Sequence, residues 1–171
     1  TTYTWDSRDR LVGIGGPGVT ATFAYDPLGR RVSRTVNGTT TTYVYDGAQA
    51  IAETRGSATA ELLTGLAIDE AIGRYSTAQN RHFLTDALGS VLAELRDDGS
   101  VSTTRRYSPY GEPMVSGEAS ENGSTYTGRE DDGTGLMFYR ARYYDPAAKK
   151  FLSPDPIGLA GGINVHAYVG G

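Results

Sequence analysis

Three short segments share one pattern at one spacing, and that register constrains the fold more than any other feature. Tyr3-Thr4-Trp5-Asp6, Phe23-Ala24-Tyr25-Asp26 and Tyr43-Val44-Tyr45-Asp46 each read aromatic, any residue, aromatic, Asp, with the aspartates 20 residues apart both times. Aromatics two apart share one face of a strand. An Asp that follows starts a turn by accepting a hydrogen bond from backbone two residues on. The second copy continues Pro27-Leu28-Gly29-Arg30, where Pro presets φ and Gly accepts a positive φ. Between copies two and three, Arg31 to Thr35 and Thr40 to Val44 flank Val36-Asn37-Gly38-Thr39, and Asn-Gly is the strongest short hairpin signal. One Tyr-x-Tyr-Asp is only a strand ending in a turn. Three in register predict strand-turn-strand units that stack to bury a shared face.

Composition agrees with an all-β chain. The 171 residues include 23 Gly and 12 Tyr, and 38% are hydrophobic. Tyr and Thr suit a pleated, half-buried surface, while Gly, Asn and Asp suit the turns. The net charge is -4, from 16 basic and 20 acidic residues mixed along the chain. With no Lys/Arg block there is no footprint for a nucleic-acid backbone. Cysteine is absent, which excludes disulfides, thiolate metal sites and a Cys nucleophile, and fits export in any redox state. No apolar run approaches the roughly 18 residues of a membrane helix. Thr1-Thr2-Tyr3-Thr4-Trp5 lacks the charged start and apolar stretch of a signal peptide. It reads as mid-strand, so the chain is expected to begin inside a longer protein.

Residues 47–80 are less regular. Gly47 to Ile72 is rich in Ala, Glu and Leu, and propensity alone suggests a helix. Arg55-Gly56-Ser57 interrupts it, however, and Gln49 to Thr54 and Ala58 to Leu63 have strand length, which favours another hairpin. Arg81 to Ser90 restarts the strand-turn scheme. Val91 to Arg96 and Ser100 to Tyr107 flank Asp97-Asp98-Gly99, a second clear hairpin. Glu112 to Ser124, with Pro113, Gly117, Asn122 and Gly123, has little periodicity and is expected to be a loop, and a candidate for disorder.

Tyr25-Asp26-Pro27-Leu28-Gly29-Arg30 resembles the YD repeat of Rhs proteins, Tc-toxin C components and teneurins. In those families the repeats form a long β-sheet that spirals into a hollow shell (cocoon), and closure removes the exposed strand edges. The last third adds Thr127-Gly128-Arg129-Glu130, Gly135-Leu136-Met137-Phe138-Tyr139-Arg140-Ala141-Arg142-Tyr143-Tyr144-Asp145-Pro146 and Phe151-Leu152-Ser153-Pro154-Asp155-Pro156-Ile157-Gly158-Leu159. These resemble the Rhs repeat-associated core cassette, which ends the shell, turns inward and precedes a variable toxin. The organisation expected is YD repeats over 1–46, an irregular repeat region over 47–80 and the core cassette over 81–171, continuous as one structural unit. Two positions depart from the family: Lys149-Lys150 stands where Gly-Arg is usual before Phe151, and Asn164-Val165-His166-Ala167-Tyr168 carries His for a Tyr.

The resemblance also implies chemistry. In related proteins the cassette cuts the chain behind itself by an aspartic mechanism, with one carboxylate ionised to activate water and the other protonated to polarise the carbonyl. Asp155 matches the family aspartate, and Arg142 matches the arginine that could hold a carboxylate by paired hydrogen bonds. Asp145 and Arg140 are weaker, supporting candidates. Arg140 and Arg142 are expected to alternate along one strand face. Asp155-Pro156-Ile157-Gly158 is also simply a good turn, and Asp26-Pro27-Leu28-Gly29 has the same signal with no catalytic implication. The family's second Asp-Pro-x-Gly-Leu motif does not occur before Gly171, so the 171 residues alone are expected not to cleave themselves.

The partners implied are an upstream YD-repeat shell, a downstream toxin domain of the same polypeptide, and a secretion-system spike or adaptor, with delivery outside a bacterial cell. Type VI secretion is typical of relatives, but no residue here selects that route. Open strand edges also predict self-association. No cofactor and no metal are expected: His82 and His166 stand far apart without ligand-spaced partners. Gly158 to Gly162 lacks the Lys-Ser/Thr of a phosphate loop. The alternative function is a cell-surface adhesion module that binds carbohydrate through exposed aromatics, although a repeat-spaced aromatic stripe is more often sheet packing.

Overall fold

Polar, Thr- and Tyr-rich runs punctuated by turn residues leave the backbone one economical way to satisfy its hydrogen bonds, which is pairing each strand with the next. The computed structural model, which describes residues 1–168, realises this. Its strands are β1 (Thr2–Trp5), β2 (Leu11–Gly16), β3 (Val19–Tyr25), β4 (Arg31–Val36), β5 (Thr39–Asp46), β6 (Gln49–Arg55), β7 (Ala58–Thr64) and β8 (Ala71–Ser76). They continue with β9 (Asn80–Thr85), β10 (Val91–Leu95), β11 (Val101–Tyr107), β12 (Pro113–Gly117), β13 (Glu130–Asp131), β14 (Met137–Tyr139), β15 (Arg142–Asp145) and β16 (Lys150–Phe151). Two 3₁₀ turns lie at Tyr126–Gly128 and Gly158–Gly161. The chain packs as two units, residues 1–38 with 131–171 and residues 39–130.

In the first unit β1 to β4 form an antiparallel meander. Its buried face carries Leu11, Ile14, Ala21 and Phe23, and Leu136, Phe138 and Tyr143 of the cassette pack on them. Arg31 is fully buried in this core. Its guanidinium lies 4.0 Å from the Phe138 ring centroid and 5.6 Å from that of Phe23. A buried cation needs a counter-charge and satisfied donors. Asp132 supplies the charge by pairing with both Arg31 and Arg34, and the Tyr143 hydroxyl lies 3.0 Å from Arg31 Nη1.

In the second unit β5 to β12 pair antiparallel in chain order. The hairpin expected around Arg55-Gly56-Ser57 is β6–β7, and the one expected around Asp97-Asp98-Gly99 is β10–β11. The expected loop at 112–124 is only partly a loop. Pro113–Gly117 is strand β12, paired with β11 from Thr103↔Gly117 to Tyr107↔Pro113. Its five residues are all exposed, so no alternation of apolar and polar residues marks it as a strand. Ser120 and Asn122 hydrogen bonds then hold the residues that follow.

The turns repeat one device. Asp6, Asp26 and Asp86 each donate their N–H to the carbonyl four residues on and accept the N–H three residues on. Each carboxylate also takes backbone N–H groups within the turn. Asp46 departs from the scheme: it ends β5 opposite Gln49 across the two-residue turn Gly47-Ala48. A second device lies in the strand after each turn, where a β-bulge adds one residue to the ladder. Val12, Val32, Ile51, Ile72, Leu92 and Ser102 are these extra residues, the first five spaced about every 20 positions. A bulge bends and twists its strand, and the same structural period therefore runs through 47–80, where the sequence looked irregular.

The aromatic stripe is largely packing. Phe23 is in the core and Tyr43 is buried. The Tyr25 hydroxyl donates to the Leu11 carbonyl at 2.7 Å, and Tyr107 repeats the contact on Val91 at 2.8 Å.

Candidate active site

The cassette's hairpin brings the best-matched residues together. β14 and β15 pair from Met137↔Tyr144 to Tyr139↔Arg142, leaving Arg140 and Ala141 as the turn. Arg140 therefore does not share a strand face with Arg142, as the alternation suggested. It occupies the first turn position with φ 59°, the conformation a tight hairpin demands there. Arg142 opens β15, and β15 pairs with β16 through Tyr144↔Phe151. The Arg142 guanidinium carbon lies 3.7 Å from the centroid of the Phe151 ring, a stacked cation–π contact that fixes the plane of the fork.

That fork reaches Asp155. Arg142 Nη2 lies 3.1 Å from Asp155 Oδ2, and both side chains are mostly buried, at 18% and 24% exposed. The other carboxylate oxygen accepts the Ile157 N–H at 3.0 Å, and the Asp155 carbonyl accepts the Gly158 N–H at 2.8 Å. The turn expected from Asp-Pro-x-Gly is thus formed, and it aims one carboxylate oxygen at the arginine. Residues 163–168 come back along this region. The Val165 carbonyl accepts the Asp155 N–H at 2.8 Å, and the His166 carbonyl accepts that of Phe151 at 3.0 Å. His166 Nδ1 lies 3.0 Å from the Phe151 carbonyl, which can only accept, so Nδ1 carries the proton. The ring that replaces the usual Tyr thus braces the strand end that carries the arginine's stacking partner. The 3₁₀ turn passes closely over the acid: a Cβ on Gly161 would lie 3.3 Å from Asp155 Oδ2.

Arg142 Nη1 is buried and has no hydrogen-bond partner among the described residues. A guanidinium with one amino group on a carboxylate and the other unmet has the donors to orient a second acceptor beside the first. Asp145, the weaker candidate, ends β15 and accepts the Ala148 N–H at 2.9 Å, closing its own turn. Its charge acts on Tyr3, whose phenol is pushed up first by burial and then by Asp145.

Phe151 and Asp132 carry roles here that the sequence did not suggest. Phe151 stood in the cassette pattern without one, and the only signal for Asp132 is an acid beside the turn Gly133-Thr134-Gly135.

The teneurin YD-shell family profile matches residues 1–160. The chain belongs to the YD-shell family. Among curated relatives it is 30% identical to a double-stranded DNA deaminase toxin A of Burkholderia cenocepacia and 32% identical to a probable deoxyribonuclease RhsB of Dickeya dadantii, over 97% and 98% of its length. It is 33% identical to a tRNA3(Ser)-specific nuclease WapA of Bacillus spizizenii over 91% of its length. This YD-shell chain spans only 14%, 13% and 7% of those three proteins. The crystal structure of TcdB2-TccC3-Cdc42 superposes on 98% of it with a TM-score of 0.77 at 22% identity, the chain covering 9% of that one. The YD-shell fold is therefore shared with Tc-toxin shell proteins, and the chain is part of an Rhs/YD-repeat shell.

Proposed function

We propose that this segment ends a toxin-enclosing shell, plugs it, and contributes Asp155 and Arg142 to an aspartic self-cleavage site that frees a C-terminal toxin. The observation that carries the reading is the stacked Arg142 fork, which holds Asp155 by one amino group while the other, buried, has no partner among the described residues. A carboxylate held by a stacked arginine in a mostly buried place has the geometry of a base that takes a proton from water. The water oxygen then attacks the scissile carbonyl carbon, a second, protonated carboxyl donates to the carbonyl oxygen, and the C–N bond breaks as the amine takes up a proton. The toxin-bearing relatives support a downstream cargo and an exported protein.

The test is intact-mass spectrometry on the chain expressed with its native downstream sequence, in wild type and with Asp155→Asn. A cut beyond residue 171 in the wild type, absent from the variant, is the expected result. An uncut wild type, or a cut that survives in Asp155→Asn, overturns the proposal and leaves Asp155 a turn residue.

A further inference from the structure

Away from the Asp155 site, the second unit contains a set of paired guanidinium groups that the shell role does not use. Arg74 on β8 and Arg81 on β9 are direct cross-strand partners, and Phe83↔Glu94 puts Glu94 of β10 on the same face. Arg55 ends β6, and Arg96 follows β10. These arginines hold the segment after β12, residues 118–124, by its two carboxylates. Glu118 sits between Arg96 Nη2 at 2.7 Å and Arg81 Nη2 at 3.0 Å. Glu121 sits between Arg74 Nη2 at 3.0 Å and Arg55 Nη1 at 3.8 Å. Between them the Ser120 hydroxyl donates to Glu94 Oε1 at 2.6 Å, and Glu94 is itself fully buried.

The segment reads Glu118-Ala119-Ser120-Glu121-Asn122-Gly123-Ser124, with no apolar side chain larger than Ala. Hydrophobic burial therefore contributes little to its docking. The side chains that receive it are preorganised: Glu53 fixes Arg74 at 2.7 Å, and Arg105 fixes Glu94 at 2.6 Å. The geometry points to a binding site for extended acidic peptides with carboxylates three residues apart, in which 118–124 is the chain's own ligand and competes with any other. Each carboxylate is read by two guanidinium groups, and the hydroxyl between them is read by a buried carboxylate. A tethered segment has an effective concentration of about millimolar, so a second peptide is excluded until the resident one is weakened.

The probe is a fluorescent synthetic peptide with the sequence of residues 117–124, titrated against the full chain by fluorescence anisotropy. The chain with Glu118→Gln and Glu121→Gln is expected to bind it at least about tenfold more tightly than wild type does. Arg96→Gln added to that background weakens the binding, and so does raising salt from about 50 to about 500 mM. Equal binding by wild type and the double variant, or equal binding of the peptide with both glutamates changed to Gln, overturns the proposal. Hydrogen exchange of 118–124 in the unaltered chain gives a second reading that needs no variant. Protection that falls with salt supports the site, and protection indifferent to salt refutes it.

Discussion

Asp26-Pro27-Leu28-Gly29 and Asp155-Pro156-Ile157-Gly158 form the same turn from the same residue pattern, yet their carboxylates are held differently. In both, the N–H of the fourth residue donates to the Asp carbonyl, at 3.0 and 2.8 Å, and the glycine takes a positive φ, 86° and 60°. Asp26 is held locally, by Arg30 Nε at 2.6 Å four residues on. Asp155 is held by Arg142, which comes from another strand and is itself clamped by Phe151. A local pair tightens a turn, whereas a pair assembled from three separate elements fixes a carboxylate in space. The Asp-Pro-x-Gly pattern thus specifies the turn, and the source of the cation decides whether the carboxylate is held from within the turn or from a distant strand.

The sharpest way to break this comparison is to neutralise both acids. In the chain with its native downstream sequence, Asp155→Asn is expected to slow self-cleavage by about 10²–10⁴-fold, the usual contribution of a positioned acid or base. Asp26→Asn is expected to leave the rate unchanged. Time courses of intact mass decide between them, and a comparable loss in both variants would reduce Asp155 to a fold determinant.

The arginines come next. Arg142→Gln is expected to cost on the order of 10²-fold in cleavage by freeing the carboxylate from its geometry, and Arg142→Lys to recover only part of it because an ammonium cannot form the planar fork. Arg30→Gln, at a local pair whose arginine is the more exposed of the two, is expected to change stability by less than about 1 kcal/mol and the cleavage rate not at all. Chemical denaturation beside the cleavage assay separates the two effects.

How much of this was legible depends on how local the determinants are. The repeat turns, the hairpin at Asp97-Asp98-Gly99 and the one at Arg55-Gly56-Ser57 rest on residues that act on their own backbone, so pattern reading found them. The bulges at Ile51 and Ile72 were not found, because an aliphatic residue in a strand is ordinary and its extra place in the ladder depends on the partner strand. Arg140 misled for a related reason: Arg-Ala is poor turn chemistry, and the hairpin's geometry imposes the positive φ. Asp155 and Arg142 were singled out by family resemblance alone. Phe151 and Asp132 were missed because a stacking ring and a buried counter-ion acquire their roles only when distant strands pack.

Titration probes the local side of the comparison. Arg10, first through its side-chain hydrogen bond, takes Asp6 from an ordinary 3.8 to about 2. At Asp26 desolvation pushes upward, but the side-chain and backbone hydrogen bonds from Arg30 outweigh it and the acid is lowered. A carboxyl depressed on folding adds stability above its unfolded pKa and loses it as pH falls through the folded value. Thermal stability is therefore expected to drop between about pH 4 and pH 2. Arg10→Gln is expected to raise the Asp6 pKa toward 3.8, followed by the carboxyl carbon shift in NMR, with no change in the Asp155–Arg142 pair.

The smallest effect is expected at the third Asp-Pro turn. Asp145-Pro146-Ala147-Ala148 has no glycine in its fourth place, and the left-handed residue falls one position later, on Lys149 with φ 59°. The turn is kept, since β15 and β16 still pair through Asp145↔Lys150, but an L side chain there costs roughly 1–2 kcal/mol. Lys149→Gly relieves that strain and in exchange gives the unfolded chain about 0.4–1 kcal/mol of extra entropy. The net expectation is a gain near ~1 kcal/mol in equilibrium unfolding. Because Lys149 precedes the strand that carries Phe151, a cleavage rate unchanged by Lys149→Gly would show that the clamp on Arg142 is set by β-pairing and not by this turn. A faster rate would mean that the strained turn holds Phe151 slightly away from the guanidinium, and that the family's usual glycine at this place serves the site as well as the fold.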